Sequence, residues 1–351
     1  KKLVKNGRAG IMIGEDEYGF VTIYVPFRNN LYEKFNHVLL DSVIAIKFRR
    51  VNNGYIIAED IIFPDIQGAE KRNKAPEDLN IVFISDTHIG SKQFLPKYFE
   101  NFIKFLNGNL DDPTLKKIAN NIGVLFIIGD LVDGIGVYPN QQEELEIFDL
   151  YAQFDTAKRF LSKIRNDIEI IIVPGNHDPA GKFIPQPPIP KPFIEEFLEM
   201  PNFKFLGNPS YVSVNGVKIL LYHGQGLEDI ASNLNMSIKQ PTKMMVEELR
   251  TRHILPMWGQ EPIIPMSTDP FIIEDVPDIY ATGHLHMIDA RISTLGKTLL
   301  LNASTFQGLT SWQIKMGLEP TPGVFPVVNI RTFDLYLIKC DNFGCELIKK
   351  S

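Results

Sequence analysis

Short apolar runs that end in polar residues recur along most of this chain, and they set its predicted elements. Five such runs each end in a Gly, Asp or His cluster: residues 81–84, 124–128, 170–173, 217–222 and 279–281. Runs of this length bounded by turn residues predict buried strands. Helical periodicity occupies residues 98–106, 143–164 and 242–254, and strand-like runs return at 298–302 and 325–347. From residue 79 onward this order predicts an α/β fold of two packed sheets covered by helices.

The first 66 residues show a different pattern, in which short strands alternate with turns and no long helix occurs. Strand-like runs lie at residues 10–14, 19–25, 43–51 and 54–61. Asn52, Asn53 and Gly54 form a hairpin-turn signal. Several short strands of this kind predict a small barrel or sandwich. The polar segment that follows is broken by proline, so we expect a β-barrel domain at 1–66, a linker at 67–79 and a second domain at 80–351.

Composition and charge narrow the classes of function. The chain has 351 residues, which favours two domains over one core, and it lacks an apolar run long enough to span a bilayer, so we predict no membrane segment. Because residue 1 is Lys rather than Met, we expect a fragment of something longer at the amino end. The net charge of −6 argues against high-affinity wrapping of DNA. It leaves room for a local basic groove or for a partner that supplies positive surface.

The two cysteines, Cys340 and Cys345, are too few for a four-thiolate zinc site or a disulfide framework. Cysteine usage of this kind favours an intracellular protein, and we expect a cytoplasmic location. A local disulfide between the two residues stays open as the less favoured alternative.

Polar clusters at the ends of the predicted strands carry the candidate chemistry. Asp86 and His88 follow the first strand, and side chains at i and i+2 of an extended segment point to the same side. The carboxyl ends of strands in open α/β sheets are where ligands collect. One such pair is a weak signal, but four more clusters follow other strands, and the five together hold five of the seven histidines. Those four clusters are Gly129 to Gly134, Gly175 to Asp178, Tyr222 to Gly224 and Gly283 to His286.

This set of side chains suits a pair of metal ions. His, Asp and Asn are ligands for manganese, iron or zinc, and the absence of thiolates argues against a structural zinc site. Two cations about 3.5–4 Å apart need a shared carboxylate and several ligands on each side, and such a pair stabilises in-line displacement at phosphorus. The chain supplies the required number of ligands. The residues therefore predict a two-metal phosphoester hydrolase.

The ordered set D-x-H, G-D-x-x-D, G-N-H-D, H and G-H-x-H resembles the calcineurin-like metallophosphoesterase superfamily, over residues of about 80–305. The resemblance implies a two-sheet β-sandwich flanked by helices and the following ligand roles. One metal is implied to bind Asp86, His88 and His286, the other to bind Asn176, His223 and His284, and Asp130 to bridge them.

The same resemblance assigns the remaining residues of the motifs. It implies that His177 is a non-ligand histidine, which stabilises the transition state and protonates the leaving oxygen. It implies that Asp133 and Asp178 orient the ligands. For these two aspartates, turn capping without catalytic meaning stays an equal alternative. Members that act as protein phosphatases carry an Arg where Gly134 stands, which weighs against that activity.

An OB-like barrel followed by a phosphoesterase core is similar to the small (B) subunits of replicative DNA polymerases. Residues 249–259 and 277–284 look like those of the archaeal D-family. This resemblance implies a 3′ to 5′ proofreading exonuclease with two divalent ions, Mn²⁺ foremost and Fe or Zn as alternatives. It implies a large catalytic polymerase subunit and a single-stranded or frayed 3′ end of DNA as partners. A free-standing DNA repair nuclease and a non-catalytic scaffold subunit stay open.

Other polar features favour ordinary surface roles. His37 and His253 lie outside the clusters, and a structural or surface role is expected for His253. The basic stretches 47–50 and 71–74 are most simply solvated faces, with nucleic-acid contact as the alternative.

Overall fold

A computed structural model describes residues 2–3, 9–51, 55–64 and 72–350 of the chain. The predicted hairpin turn at Asn52, Asn53 and Gly54 lies outside the described residues, as do Lys71 and the first part of the predicted linker.

The N-terminal part forms a five-stranded sheet. Its strands follow the order β1-β2-β3-β5-β4, with β3 parallel to β5 and the other neighbours antiparallel. The predicted strands are confirmed, whereas the short helix α1 was not predicted. Closure of the sheet into a barrel stays a prediction. The elements are β1 Lys2–Leu3, β2 Ala9–Asp16, β3 Gly19–Pro26, α1 Leu31–Asn36, β4 Ala45–Arg50 and β5 Tyr55–Ile62.

The larger sheet of the second part has seven strands in the order β17-β16-β15-β6-β7-β8-β9. Strands β6 to β9 run parallel, and β15 to β17 extend the sheet as antiparallel neighbours. Strand β6 is buried along its whole length, as its continuous apolar run predicts. The strands are β6 Asn80–Ile84, β7 Ile122–Ile128, β8 Glu169–Val173, β9 Phe203–Phe205, β15 Val324–Asn329, β16 Leu335–Asp341 and β17 Gly344–Lys350.

A second, five-stranded sheet packs against the first. Its order is β10-β11-β12-β14-β13, and β11, β12 and β14 run parallel. A single apolar cluster joins the facing sides of the two sheets, for example Phe83 and Phe126 with Ile219 and Leu301. The strands are β10 Ser210–Val214, β11 Val217–Leu221, β12 Ile279–Thr282, β13 Asp289–Ile292 and β14 Leu299–Asn302.

Helices cover the outer faces of both sheets, which confirms the predicted α/β class and two-sheet sandwich. Residues of α2, α3 and α4 pack on the seven-stranded sheet, and residues of α6 and α7 pack on the five-stranded one. No helix in the described ranges is both long and apolar enough to cross a membrane. The helices are α2 Pro96–Leu106, α3 Pro113–Asn120, α4 Leu150–Leu161, α5 Lys191–Ile194, α6 Leu227–Leu234, α7 Pro241–Thr251 and α8 Ser311–Met316, with a 3₁₀ turn at Gln141–Glu143.

The helix predicted at 143–164 is shorter in the structure. It begins at Leu150, where the Asp149 carboxylate accepts a hydrogen bond from the Ala152 backbone N–H. The preceding residues fold back, and the backbone N–H groups of Glu146 and Ile147 donate to the Gly90 carbonyl. Because residues 146–147 hydrogen-bond to the loop after β6, they do not join the helix.

The N-terminal sheet contacts the second part through α7 and the loop after it. His37 Nδ1 lies 3.0 Å from the Glu247 carboxylate of α7. The Trp258 backbone N–H donates to Asp41, and Leu39 joins the apolar cluster beneath α7.

Cys340 and Cys345 form a disulfide. The sequence analysis gave this disulfide as the less favoured alternative, and the structure contains it. The two residues lie directly opposite each other in the β16–β17 hairpin, with Cα atoms 4.0 Å apart. The pairing follows from strand register, which the spacing of the two cysteines does not reveal.

Candidate metal centre

Five loops bring the predicted site residues together at the carboxyl ends of β6, β7, β8, β11 and β12. Five of these residues adopt a left-handed backbone conformation, with φ between 48° and 68°. Non-glycine residues rarely do so, and such strain concentrates at functional sites. The loops therefore adopt a strained backbone that directs these side chains toward the centre. The five residues are Asp86, His88, Asp130, His284 and His286.

One side of the centre consists of Asp86, His88 and His286. The Nε2 atoms of the two histidines lie 3.1 Å apart, and His286 Nε2 lies 3.3 Å from Asp86 Oδ1. Asp86 Oδ1 is buried and forms no hydrogen bond with any described residue. A buried carboxylate oxygen without a donor is costly, and a cation that it shares with two imidazole nitrogens would satisfy it.

Hydrogen bonds on the outer side fix these rings. His88 Nδ1 lies 2.9 Å from Asp133 Oδ1, so the ring donates outward and keeps the Nε2 lone pair for the centre. Asp133 also accepts hydrogen bonds from the side-chain amides of Gln141 and Gln307. The Gln313 amide lies 2.7 Å from His286 Nδ1.

The other side of the centre consists of Asn176, His223 and His284. His223 Nε2 lies 3.1 Å from Asn176 Oδ1, and His223 Nδ1 donates to the Ile128 carbonyl at 2.8 Å. His284 Nε2 lies 3.0 Å from Glu228 Oε1, which leaves the Nδ1 atom of His284 for the centre. The outward contacts thus leave His223 Nε2 and His284 Nδ1 facing the centre.

Asp130 lies between the two sides. Its Oδ2 atom is 3.3 Å from His223 Nε2 and 3.7 Å from His88 Nε2, and its Oδ1 atom accepts the His177 backbone N–H at 2.8 Å. A Cβ atom at Gly175 would collide with this carboxylate, so glycine is required for the close approach. The position suits a shared ligand, as the resemblance implied.

His177 borders the centre from its open side. Its side chain is 14% exposed, whereas those of His88 and His223 are 3% and 0% exposed. Its Nδ1 atom lies 2.7 Å from the Asp133 carbonyl, which leaves Nε2 free. His177 also lies within ligand distance of His88 and Asp130.

The hydrogen bonds of Asp178 in the described structure go to the backbone rather than to a ligand side chain. Its carboxylate accepts backbone N–H groups of Leu131, Val132 and Gly175, and so ties two loops of the centre together. Burial raises the pKa of Asp178 to about 7. This placement matches the turn-capping alternative more closely than direct orientation of a ligand.

The electrostatics of the centre keep its carboxylates ionised and raise the pKa of three of its histidines. Burial acts to raise the pKa of Asp86 and Asp130, but the charges of the neighbouring histidines hold the pKa of both below its usual range. Burial lowers the pKa of His286. Burial also acts to lower the pKa of His88, His223 and His284, but the neighbouring carboxylates outweigh it and raise all three, that of His284 to about 9. Metal ions bind carboxylates and neutral imidazoles, so a cation would have to displace protons from these three rings.

Sequence reasoning missed Glu228 and the glutamines Gln141, Gln307 and Gln313. They lie outside the five motifs, and no pattern in the sequence marks them. The two other histidines lie elsewhere, as expected: His37 pairs with Glu247, and His253 pairs with Asp269 at 2.9 Å.

Comparison with known proteins identifies the family. Residues 81–287 match the family of B subunits of DNA polymerases alpha and epsilon, and this range contains every predicted site residue. The chain belongs to this family. The match covers more than half of the chain and includes both sides of the candidate metal centre.

Several curated relatives have the name DNA polymerase II small subunit. The chain is 36% identical to the relative from Methanothermobacter thermautotrophicus over 90% of its length, 38% identical to that from Archaeoglobus fulgidus over 88%, and 35% identical to that from Pyrococcus furiosus over 91%. These matches cover 65%, 62% and 52% of the relatives. The chain thus spans between half and two thirds of their length.

Two solved structures are similar to parts of this chain. Vps29 of Entamoeba histolytica, complexed with Zn²⁺, shares 15% identity at a TM-score of 0.38, covering 78% of this chain and 98% of its own. Vacuolar protein sorting 29 of Cryptosporidium parvum shares 18% identity at a TM-score of 0.40, covering 78% of this chain and 97% of its own.

Proposed function

We propose that this chain is a two-metal phosphodiesterase that acts as the 3′ to 5′ proofreading exonuclease of a DNA polymerase. The observation that carries the proposal is the buried Asp86 Oδ1, which has no donor in the described structure and faces two imidazole nitrogens. A scaffold would gain nothing from this arrangement, because a hydrogen-bonded or apolar replacement would be more stable.

The donor set fits two divalent ions, which we expect to be Mn²⁺, with Fe or Zn as alternatives. Bound metals would supply charge to stabilise the attacking and leaving oxygens at phosphorus. We assign Asp86, His88 and His286 to one ion, Asn176, His223 and His284 to the other, and Asp130 to both.

The remaining residues orient the ligands and handle a proton. Asp133 holds the His88 ring through Nδ1, and Glu228 holds the His284 ring through Nε2. His177 donates from Nδ1 to the Asp133 carbonyl, so Nε2 is the atom that takes up a proton from solvent and then passes it to the leaving oxygen of the cut strand. Burial lowers the pKa of His177, which favours release of that proton. Asp178 accepts backbone hydrogen bonds from the loops after β7 and β8 and so holds the two loops together.

The direct test uses end-labelled single-stranded DNA with Mn²⁺, with products sized over time. We expect stepwise shortening from the 3′ end and no reaction in EDTA. The matched control is His253→Ala, which removes a histidine outside the centre and should leave the rate unchanged. A chain that binds two metals and yields no product would instead support the non-catalytic scaffold.

The relatives' names supply the partner in this proposal. A polymerase small subunit implies a large catalytic subunit, with both at work inside the cell. A DNA strand carries closely spaced negative charges, and a protein chain with a net charge of −6 attracts it only weakly. The large subunit would therefore hold the duplex, and this chain would receive only a single-stranded or frayed 3′ end.

A further inference from the structure

The outward face of the N-terminal sheet carries exposed aromatic side chains. Phe20 is 74% exposed, Tyr55 is 51% exposed and Tyr24 is 38% exposed. The opposite face of the same sheet packs on α1 and buries residues such as Ile23 and Ala58. A contiguous group of exposed rings on one sheet face indicates an interaction surface, unlike apolar residues that are scattered singly.

Strand register places the three rings on one face. Thr22 of β3 lies opposite Tyr55 of β5, and Phe20 and Tyr24 lie two residues before and after Thr22. Side chains two residues apart in a strand point to the same side. With a rise of about 3.4 Å per residue and strands about 4.8 Å apart, Tyr55 lies about 8 Å from each of the other two rings, measured between Cα atoms. We call this zigzag of Phe20, Tyr55 and Tyr24 the aromatic face.

The edge strand β4 adds positive charge beside the aromatic face. Arg49 of β4 lies opposite Ile57, which lies opposite Tyr24, so the three share one row across the sheet. Lys47 lies two residues before Arg49 and is also exposed. No ion pair of Arg49 or Lys47 occurs among the described residues.

Acidic residues restrict this positive edge to one side. Asp60, opposite Lys47, is neutralised by Lys34 at 2.6 Å. Glu15 lies opposite Phe20 on the β2 side, and Glu59 is exposed on β5. A polyanion would therefore follow β4 rather than β2.

We propose that the aromatic face binds single-stranded DNA, with bases stacked on Phe20, Tyr55 and Tyr24 and the sugar-phosphate backbone along β4. Bases in a duplex are stacked at about 3.4 Å, so rings about 8 Å apart each take one base of an extended strand. Exposed aromatic rings offer stacking to any base, which makes such binding tolerant of sequence. The inference rests on the proposed function only for the choice of DNA as the ligand.

Two cations give this surface a recognisable salt dependence. Each phosphate neutralised on a single strand contributes a slope of about −0.7 to log K against log salt, so Arg49 and Lys47 together give about −1.4. Stacking does not share this dependence, and binding should persist as the salt concentration rises.

The test measures the fluorescence anisotropy of a labelled oligothymidylate with the full chain in EDTA, where no hydrolysis occurs. Phe20→Ala with Tyr55→Ala should weaken binding about tenfold or more, since stacking on one ring contributes that much per base. Tyr55→Phe should bind as well as the unchanged chain, because it retains the ring. Arg49→Ala should reduce the salt slope by about 0.7.

Phe343→Ala is the matched control, since Phe343 is 98% exposed at the β16–β17 turn, away from the aromatic face. Unchanged affinity in the double variant overturns the proposal, and so does an equal loss in Phe343→Ala. A double variant that binds DNA normally but fails to assemble with a large polymerase subunit also overturns it, and makes the face a protein interface. If ring-dependent binding is present in a chain that hydrolyses nothing, only the proposed nuclease activity fails.

Discussion

Three histidines of the centre direct one ring nitrogen inward and the other toward an outward partner. Nδ1 faces outward in His88, toward Asp133, and in His223, toward the Ile128 carbonyl, whereas His284 turns Nε2 outward toward Glu228. The partner fixes the tautomer and the ring plane before any cation arrives. At this scale, function depends on pairs of side chains that come from different loops.

Asp130→Ala should abolish activity and lower the content of both metals. A shared carboxylate offsets the repulsion between two cations, and Asp130 Oδ2 lies 3.7 Å from His88 Nε2 and 3.3 Å from His223 Nε2. Metal content by elemental analysis measures the effect. A variant with two metals and an unchanged rate would refute the shared role.

His177→Ala should leave metal content near normal and reduce the rate by roughly 10²–10⁴, which is the usual effect of losing a general acid. Its Nδ1 atom contacts the Asp133 carbonyl, and the proposed assignment gives each ion three other ligands and the shared Asp130. Metal content and rate are measured on the same sample. Loss of metal would show that His177 is a ligand.

Glu228→Ala should weaken metal binding roughly 10- to 100-fold, the range for a lost partner of a metal-binding histidine. The carboxylate at 3.0 Å is what fixes His284 Nε2. Calorimetric titration with Mn²⁺ measures the change, and Asp229→Ala, the next residue of α6, is the control. Equal affinity in both variants would leave Glu228 without a positioning role.

At the scale of elements, the loops of two facing sheets build the centre, and the N-terminal sheet supplies none of its ligands. Strands β6, β7 and β8 deliver Asp86, Asp130 and Asn176, while β11 and β12 of the other sheet deliver the remaining histidines. One continuous apolar core packs the two sheets together, and this packing brings their loop ends to the same place.

A chain that begins near Ala75 should therefore keep two metals but unfold at a lower temperature. Removal of the N-terminal sheet exposes the buried Glu247 carboxylate, now without His37, and the apolar cluster that includes Leu39. Metal analysis and thermal unfolding measure the two effects. A folded truncated chain without metal would show that the N-terminal sheet contributes to the centre.

At the scale of the whole molecule, the net charge of −6 and the family of polymerase B subunits are the two observations behind the proposed partnership. In that proposal a large subunit holds the duplex, and this chain, which has only a small positive edge along β4, receives a strand end.

Excision should therefore be weak and salt-sensitive in the isolated chain, and stronger and biased toward mismatches in the reconstituted pair. A mismatched 3′ end unpairs at little cost, which directs it to the metal centre without base-specific contacts. Matched and mismatched primers at increasing salt provide the measurement. The same rate, salt response and mismatch preference with and without the large subunit would indicate a free-standing nuclease.

The sequence by itself determined the strands, the fold class and the family. Apolar runs such as the one in β7 must be buried on both faces, and a Gly-Asp or Gly-His turn at the end of a run marks where the strand stops. These are local properties, so they can be read from neighbouring residues. The motifs at Asp86 and Asp130 were visible for the same reason.

Only the tertiary structure decided which distant residues meet. Glu228 reaches His284 across 56 positions, and Gln313 reaches His286 from a separate helix. The Cys340–Cys345 disulfide depends on hairpin register, and the aromatic face depends on how β3 pairs with β5. The predicted start of the helix at 143–164 was wrong because the loop after β6 competes for its first residues. Each of these contacts depends on how strands, helices and loops come together in the whole fold. Local sequence patterns do not encode that packing.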